Sequence, residues 1–192
     1  VNTPPYFEDF EGVLIDDRLP NCSWLSPQLG ASARTFTAAG PNNLLPRSGQ
    51  KFAAFENSPP GTSYYFTNAL NLSAGVTYSA SLWYQTDLQA SINWSDLSIL
   101  VGTSQSATGL IPVASTNGPA TSIVYKPLSN TFSVPSSGIY YLAISATGSA
   151  GGAQYLSWDD LSVTIPCELN TPSLSIVASQ TQVCQGEDVI LT

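Results

Sequence analysis

The stretch YLSWDDLSVTI, residues 155 to 165, joins aromatic and β-branched residues to two adjacent carboxylates, Asp159 and Asp160. Its composition predicts a β-strand. Because neighbouring side chains on a strand point to opposite faces, one of the two acids should face inward or towards a sheet edge. There an ionised carboxylate is costly unless it accepts hydrogen bonds or binds a cation. The stretch therefore predicts a strand with a charged site inside it.

A second acidic stretch, PYFEDFEG at residues 5 to 12, sets Glu8, Asp9 and Glu11 among aromatic residues. It lies at the other end of the same predicted domain, so we expect the first and last strands to pair and to bring the acids together. The chain has 5 Lys and Arg against 13 Asp and Glu, which leaves little positive charge to neutralise them. Calcium, which prefers oxygen ligands, is the predicted counter-charge.

Turn residues divide the middle of the sequence into short segments with the pattern of β-strands. Clear examples are SYYFT at 63–67, VTYSASLWYQ at 76–85 and IYYLAISA at 139–146. No stretch has the apolar spacing of a long amphipathic helix. About nine to eleven short strands separated by turns are typical of a β-sandwich. We predict an all-β fold, a two-sheet antiparallel jelly-roll sandwich.

Composition divides the 192 residues into four parts. Residues 1–5 predict a linker, because two prolines prevent regular pairing, and residues 6–166 form the jelly-roll domain. Residues 167–172 predict an interdomain linker that ends in proline. Residues 173–192 predict two strands, which are marginal alone, and we interpret them as the truncated start of an Ig-like domain.

Three cysteines are present, at positions 22, 167 and 184. Cys22 and Cys167 lie just inside the two ends of the predicted domain, and Cys184 belongs to the tail. We predict a Cys22–Cys167 disulfide, which implies an oxidising, extracytoplasmic location. Two unrelated buried thiols are the alternative.

Charge and composition exclude several classes of function. The net charge is −8 and the basic residues are scattered, so we expect no binding to nucleic acid or to an anionic membrane surface. The sequence contains no run of about 18 apolar residues, so it predicts no membrane-spanning helix. The chain has no His, so it cannot form a Ser-His-Asp or Cys-His arrangement, and its three Cys lack the spacing of zinc ligands. The acids lie near the predicted domain ends rather than in a cleft, and we predict no enzyme activity.

Exposed aromatic rings are the predicted contacts to a sugar or another ligand. Trp94 lies in the polar segment ASINWSD, where a tryptophan has little packing to do. In tandem pairs such as Trp83-Tyr84 one ring should face inward and the other outward. We predict Trp94, Trp83 and Tyr84 as ligand-binding residues. Ordinary cover of a sheet by outward rings remains the alternative.

Four stretches, PYFEDFEG, LPNCSW, SSGIYYLAIS and YLSWDDLSV, resemble the MAM-like jelly-roll modules of secreted Bacteroidetes proteins. These modules are known as cleaved-adhesin or choice-of-anchor J domains. The resemblance covers most of residues 5–166 but is carried by the two ends. The tail VCQGEDVILT is similar to the start of the Ig-like or PKD-like repeats that follow such modules. Trp158 departs from the pattern, since a small aliphatic residue is usual there.

The resemblance implies a calcium-binding jelly roll used in adhesion or carbohydrate recognition. The Glu of the family's Phe-Glu pair falls on Glu11, and the first Asp of its Asp-Asp pair falls on Asp159. We predict these two as calcium ligands, with Asp9, Asp160 or Asn57 and backbone carbonyls completing the shell. Solvated acids at a sheet edge, or acids that cap turns, are the alternative.

The sequence thus predicts an extracellular or cell-surface, calcium-stabilised module without catalytic activity. It would bind a glycan or a surface protein as part of a larger protein with further extracellular domains. A carbohydrate-binding module that targets an attached enzyme to a polysaccharide is the second hypothesis. A structural spacer without a ligand is the third.

Overall fold

A computed structural model describes residues 1–15, 18–27, 32–37, 42, 44–57, 60–87, 94–148 and 155–167. The predicted linker after Cys167 and the predicted Ig-like start at 173–192 lie outside the described residues. Among the residues described, no helix is long and apolar enough to cross a membrane.

The strands, in chain order, are β1 (Tyr6–Glu8), β2 (Ser32–Thr37), β3 (Lys51–Glu56), β4 (Gly61–Phe66), β5 (Leu70–Leu72), β6 (Tyr78–Thr86), β7 (Trp94–Gly102), β8 (Ile111–Ser115), β9 (Lys126–Phe132), β10 (Gly138–Gly148) and β11 (Tyr155–Thr164).

These strands form two antiparallel sheets. The six-stranded sheet has the order β2-β3-β11-β6-β9, and β1 pairs with the part of β11 that β3 leaves free. The five-stranded sheet has the order β4-β10-β7-β8, and β5 pairs with the start of β10. The two sheets pack face to face, which confirms the predicted jelly-roll sandwich.

The alternation of side chains along each strand determines what enters the core. Along β6, buried residues alternate with partly exposed ones from Tyr78 to Thr86, as expected for a strand with one face against the core. Three tandem aromatic pairs confirm the predicted alternation of inward and outward rings. The inward members are Tyr65, Tyr84 and Tyr140, and the outward members are Tyr64, Trp83 and Tyr141.

An aromatic cluster fills the core beside β11. Trp158 is fully buried. Its ring centroid lies 5.0 Å from that of Phe10, 5.1 Å from that of Tyr65 and 6.5 Å from that of Trp24. The first two contacts are edge-to-face, a favourable arrangement for aromatic rings. The large residue at position 158 thus joins the last strand to the loop of Trp24 and the turn of Phe10.

The first and last strands pair, as predicted. Tyr6 lies opposite Val163 and Glu8 lies opposite Leu161. The residues before β1 also contact the sandwich, because the Asn2 N–H donates to the Ala69 carbonyl at 2.8 Å. The two acidic stretches of the sequence therefore lie on neighbouring strands.

The predicted Cys22–Cys167 disulfide is wrong, since both residues are exposed free thiols. The loop of Cys22 is held near the middle of β11, where Trp24 packs against Trp158. Cys167 lies nine residues further along the chain than Trp158, past the end of that strand. The pairing of the end strands brings the two acidic stretches together. The two thiols, however, lie at different positions along the strand direction.

Candidate functional site

A β-bulge in β11 brings both predicted acids to the same neighbouring segment. Asp159 pairs with Trp83 and Ser162 pairs with Ser81, so two residues of β11 oppose one of β6. Within the bulge Asp160 has a φ of 53°, in the left-handed region that Asp tolerates better than most residues. The extra residue interrupts the alternation. The expectation that Asp159 and Asp160 face opposite sides is therefore wrong.

Both carboxylates bind the segment at Arg47 and Ser48. Asp159 Oδ2 accepts from the backbone N–H of Arg47 at 3.0 Å and of Ser48 at 3.3 Å, and its Oδ1 accepts from the Asp160 N–H at 2.8 Å. Asp160 forms an ion pair with the Arg47 guanidinium and accepts from the Ser48 hydroxyl at 2.7 Å. The expected lack of nearby positive charge is wrong, because Arg47 supplies it.

Glu11 binds the same segment from the other end. Its Oε1 accepts from the backbone N–H of Gln50 at 2.7 Å and of Lys51 at 2.8 Å. Gly49, just before them, has a φ of 59°, and a Cβ there would clash with Glu11 Oε1. A glycine at this position therefore allows the close approach of Glu11 to the backbone.

We name Glu11, Asp159, Asp160 and the segment 47–51 the acidic clasp. Asp9 lies beside the clasp in its own turn, where its Oδ1 accepts from the Glu11 N–H at 3.1 Å. Asn57 lies elsewhere: it follows β3, which places it about 20 Å of extended chain from Lys51, and it packs against Gly148. The predicted inclusion of Asn57 in this site is wrong, because the strand carries it to the far end of the sheet.

Asp159 is an unusual carboxylate. It is completely buried, and this burial raises its pKa from 3.8 to about 7, with a further contribution from the negative charge of Asp160. The backbone N–H groups that donate to it act in the opposite direction but are outweighed. A cation beside Asp159 would favour its ionised form.

The acidic clasp offers a calcium ion two carboxylates, Glu11 and Asp159, that reach one segment of chain. Calcium takes about six to eight oxygen ligands, so backbone carbonyls and water would complete the shell. All three carboxylates already accept hydrogen bonds, Asp160 from Arg47 and Ser48 and the other two from backbone N–H groups, so an ion would share their oxygens with the chain. In the part of the chain that is described, no three His, Cys, Asp or Glu side chains are grouped closely enough to hold a metal ion by themselves. The donor set therefore fits calcium only with backbone oxygens.

Of the three aromatic residues predicted to bind a ligand, the structure buries two and places one on an outer face. Trp94 is the first residue of β7 and is fully buried, with its ring centroid 6.4 Å from that of Phe55, so its assignment to an exposed loop is wrong. Tyr84 points into the core and is also buried. Trp83 lies on the outer face of the six-stranded sheet, where the Arg47 guanidinium carbon is 4.0 Å from its ring centroid. Only Trp83 of the three is placed to contact a ligand.

The outer face of the five-stranded sheet carries a row of hydroxyl groups that the sequence analysis did not single out. Tyr64 pairs with Ser145, Ser145 with Ser98, and Ser98 with Ser115, across β4, β10, β7 and β8. Adjacent strands lie about 4.8 Å apart, so the row spans about 14 Å. The Tyr64 ring is partly exposed and stacks on Phe66 with centroids 5.6 Å apart and planes inclined by 13°.

Asp96 and Tyr141 extend this row along the strands. Asp96 accepts from the Ser98 hydroxyl at 2.7 Å and from the Ser115 hydroxyl at 2.8 Å. Tyr141 is partly exposed and lies on β10 four residues before Ser145, on the same face. We name Tyr64, Asp96, Ser98, Ser115, Tyr141 and Ser145 the tyrosine face. Alternation alone shows that one residue of each Tyr-Tyr pair faces outward, and only the packing of the sheets shows which.

No family model and no curated protein matches this chain. Solved structures do match. The CBM22-2 xylan-binding domain of Paenibacillus barcinonensis Xyn10C has 15% sequence identity and covers 84% of this chain and 99% of its own, with a TM-score of 0.55. The K1 cleaved adhesin domain of Lys-gingipain from Porphyromonas gingivalis W83 has 12% identity and covers 84% and 98%, with a TM-score of 0.57.

A third similar structure is the C-terminal family 22 carbohydrate-binding module of Clostridium thermocellum Xyn10B. It has 14% identity and covers 83% of this chain and 91% of its own, with a TM-score of 0.56. At such identities the likeness establishes the jelly-roll fold. The cleaved adhesin structure agrees with the resemblance found in the sequence, and the narrower MAM-like or choice-of-anchor J assignment stays a prediction.

Proposed function

We propose that this chain is an extracellular, non-catalytic module that binds a glycan on its tyrosine face. The observation that carries the proposal is the pair of partly exposed rings, Tyr64 and Tyr141, on one face with the partly exposed Asp96 and Ser115, while Ser98 and Ser145 of the row are buried. Aromatic rings stack on sugar rings, and hydroxyl and carboxylate groups orient them. Two of the similar folds belong to modules described as xylan-binding or carbohydrate-binding, which supports the same class of ligand.

The charges of the tyrosine face favour binding over hydrolysis. Asp96 is the carboxylate that the described residues place there, and both of its oxygens accept hydrogen bonds from serine hydroxyls. Glycoside hydrolysis generally needs two carboxyl groups on either side of the scissile bond. We infer that Asp96 holds the serines in position for a ligand.

Adhesion to a glycan-bearing surface and targeting of an attached enzyme to a polysaccharide would use the same face. The other domains of the full-length protein would separate these two roles. A surface protein as ligand is a further candidate, and a glycan screen that finds no sugar would favour it. The extracellular location is proposed from the resemblance, since the cysteines give it no support.

Replacing Tyr64 with alanine is expected to weaken glycan binding at least tenfold, which corresponds to about 1.4 kcal/mol. The loss has a direct cause, because the substitution removes the ring at one end of the hydroxyl row. Affinity electrophoresis in gels that contain soluble xylan, followed by a panel of other neutral polysaccharides, measures the change. Tyr141→Ala should weaken binding in the same direction.

Ile165→Ala is the control, because Ile165 is exposed and follows β11 on the other sheet. Its mobility in each gel should equal that of the unmodified chain. Equal affinities of the unmodified chain, Tyr64→Ala and Tyr141→Ala would show that the glycan does not bind the tyrosine face.

We propose in addition that the acidic clasp binds one calcium ion through Glu11 and Asp159, where it would neutralise buried negative charge. A ligand that binds only the folded state raises its stability by mass action. Millimolar calcium is therefore expected to raise the Tm by several degrees over the chelated protein, as measured by circular dichroism. Glu11→Gln should remove most of the shift.

Asp9→Asn is the matched control for Glu11→Gln, since the bond that Asp9 makes among the described residues lies within its own turn and an Asn side chain can keep it. It should retain the calcium shift. An unchanged Tm together with no calcium in elemental analysis would contradict the proposal and leave Arg47 as the counter-charge of the clasp.

A further inference from the structure

The outer face of the six-stranded sheet carries a second row of residues across four strands. Phe7 pairs with Ser162, and Ser162 pairs with Ser81, which pairs in turn with Ser129. The hydroxyl groups of Ser81 and Ser162 lie 2.9 Å apart and hydrogen bond to each other. The row runs from β1 to β9 and, at about 4.8 Å per strand, spans about 14 Å.

Two aromatic residues border this row. Phe7 is 57% exposed, although its neighbours Tyr6 and Glu8 are buried or partly buried. Trp83 lies on the same face, two residues from Ser81 along β6, and is partly exposed beneath the Arg47 guanidinium. The Phe7 ring is thus accessible on a paired strand. It offers a platform for a flat ligand.

The polar groups of the row are hydroxyls. On β6, β11 and β9 the outward hydroxyl residues, all at least partly exposed, are Ser79, Ser81, Ser162, Thr164, Ser129 and Thr131. The Arg47 guanidinium is paired with Asp160. The row itself, from Phe7 through Ser162 and Ser81 to Ser129, carries no charged side chain, which favours an uncharged ligand rich in hydroxyl groups.

We propose that this face, bounded by Phe7 and Trp83, is a second binding surface for a neutral polysaccharide. The inference extends the proposed function, because the outer faces of the two packed sheets point in opposite directions. A chain bound on the tyrosine face cannot also lie across the Phe7 row. The module therefore bridges two polysaccharide chains.

Phe7→Ala tests this second surface. The unmodified chain is expected to cross-link soluble xylan, or another neutral polysaccharide that it binds, into particles that scatter light. Phe7→Ala should lower the affinity at least fivefold in the Tyr64→Ala background and should abolish the scattering of the otherwise unmodified chain. Tyr64→Ala alone should abolish scattering but retain binding through the Phe7 row.

Ser129→Lys is a second, independent variant, because Ser129 is exposed at the centre of β9 and the longer, charged side chain would obstruct the row. It should reproduce the effect of Phe7→Ala while the circular dichroism spectrum stays unchanged. Thermal unfolding of each variant shows whether β1 and β9 remain paired.

The outcomes separate the two faces. Complete loss of binding in Tyr64→Ala, with normal affinity in Phe7→Ala and Ser129→Lys, would overturn the second surface and leave the proposed function intact. Loss in Phe7→Ala and Ser129→Lys with normal affinity in Tyr64→Ala would retain the second surface and refute the tyrosine face. Failure of the unmodified chain to bind any neutral polysaccharide of the panel would overturn both.

Discussion

Replacing Trp158 with alanine is expected to lower the free energy of unfolding by about 3 to 5 kcal/mol, the usual cost of truncating a fully buried Trp or Phe. The indole contacts the rings of Phe10, Tyr65 and Trp24, which come from three separate parts of the chain. Its removal would leave a cavity where these parts meet. Chemical denaturation at equilibrium, monitored by circular dichroism in the far ultraviolet, measures the change in the free energy of unfolding.

Two matched variants test the origin of this loss. Trp158→Phe should cost less, because it keeps a ring in the cluster and removes an indole N–H that has no acceptor among the described residues. Trp83→Ala, on the neighbouring strand, should also cost less, since that ring is partly exposed and lies on the outer face. A loss for Trp83→Ala as large as that for Trp158→Ala would contradict the assignment of the cluster as the centre of the core.

The strands could be predicted because their signal is local. The alternating stretch at 76–85 and the apolar stretch at 139–146 became β6 and β10, which lie within the two sheets. The pairing of β1 with β11 also followed from the sequence, since similar acidic stretches stand near both ends of the domain. For the strands the information lies in the spacing of residues along one short segment, and for the pairing it lies in the likeness of the two end segments.

The arrangement around the acids could not be predicted, because it depends on contacts far apart in sequence. Arg47 lies 113 residues from the Asp160 that it pairs with, and nothing in its own neighbourhood indicates that partner. The left-handed conformation of Asp160 shifts the alternation by one residue. A periodic pattern assumes unbroken pairing, so it assigned the two carboxylates to opposite faces.

The positions of the ligand-binding aromatic residues could not be predicted for a related reason. A tryptophan among polar residues predicts exposure, but β7 begins at Trp94 and turns its ring into the core. Tyr64 and Tyr65 are adjacent and alike, and only their register with β10 shows which one joins the hydroxyl row. Binding surfaces of a sandwich consist of residues from several strands, and sequence alone does not align them.

The second large effect expected is a fall in the stability of the chelated protein as the pH rises from about 4 to about 7. The pKa of Asp159 is about 7 in the folded chain against an ordinary value of 3.8. Between these values the folded state holds a proton that the unfolded state has released, so raising the pH favours unfolding. The slope should be on the order of 1 kcal/mol per pH unit in this window.

Asp159→Asn isolates this group, because an amide does not titrate. Burial also raises the pKa of Glu8, and that carboxyl would contribute a slope of the same sign in both proteins. The difference between the two pH profiles of unfolding free energy, each measured in urea with a chelator, therefore belongs to Asp159. Parallel profiles would show that Asp159 titrates normally.

Calcium should remove this fall in stability between pH 4 and 7 for the unmodified chain. A bound cation favours the ionised carboxylate, so the ion binds more tightly as Asp159 loses its proton, and the stabilisation by calcium grows as the pH rises towards 7. If the ion pair with Arg47 were the only neutralisation at the clasp, the profiles with and without calcium would coincide. The pH profile thus distinguishes a clasp closed by a metal ion from one closed by the chain alone.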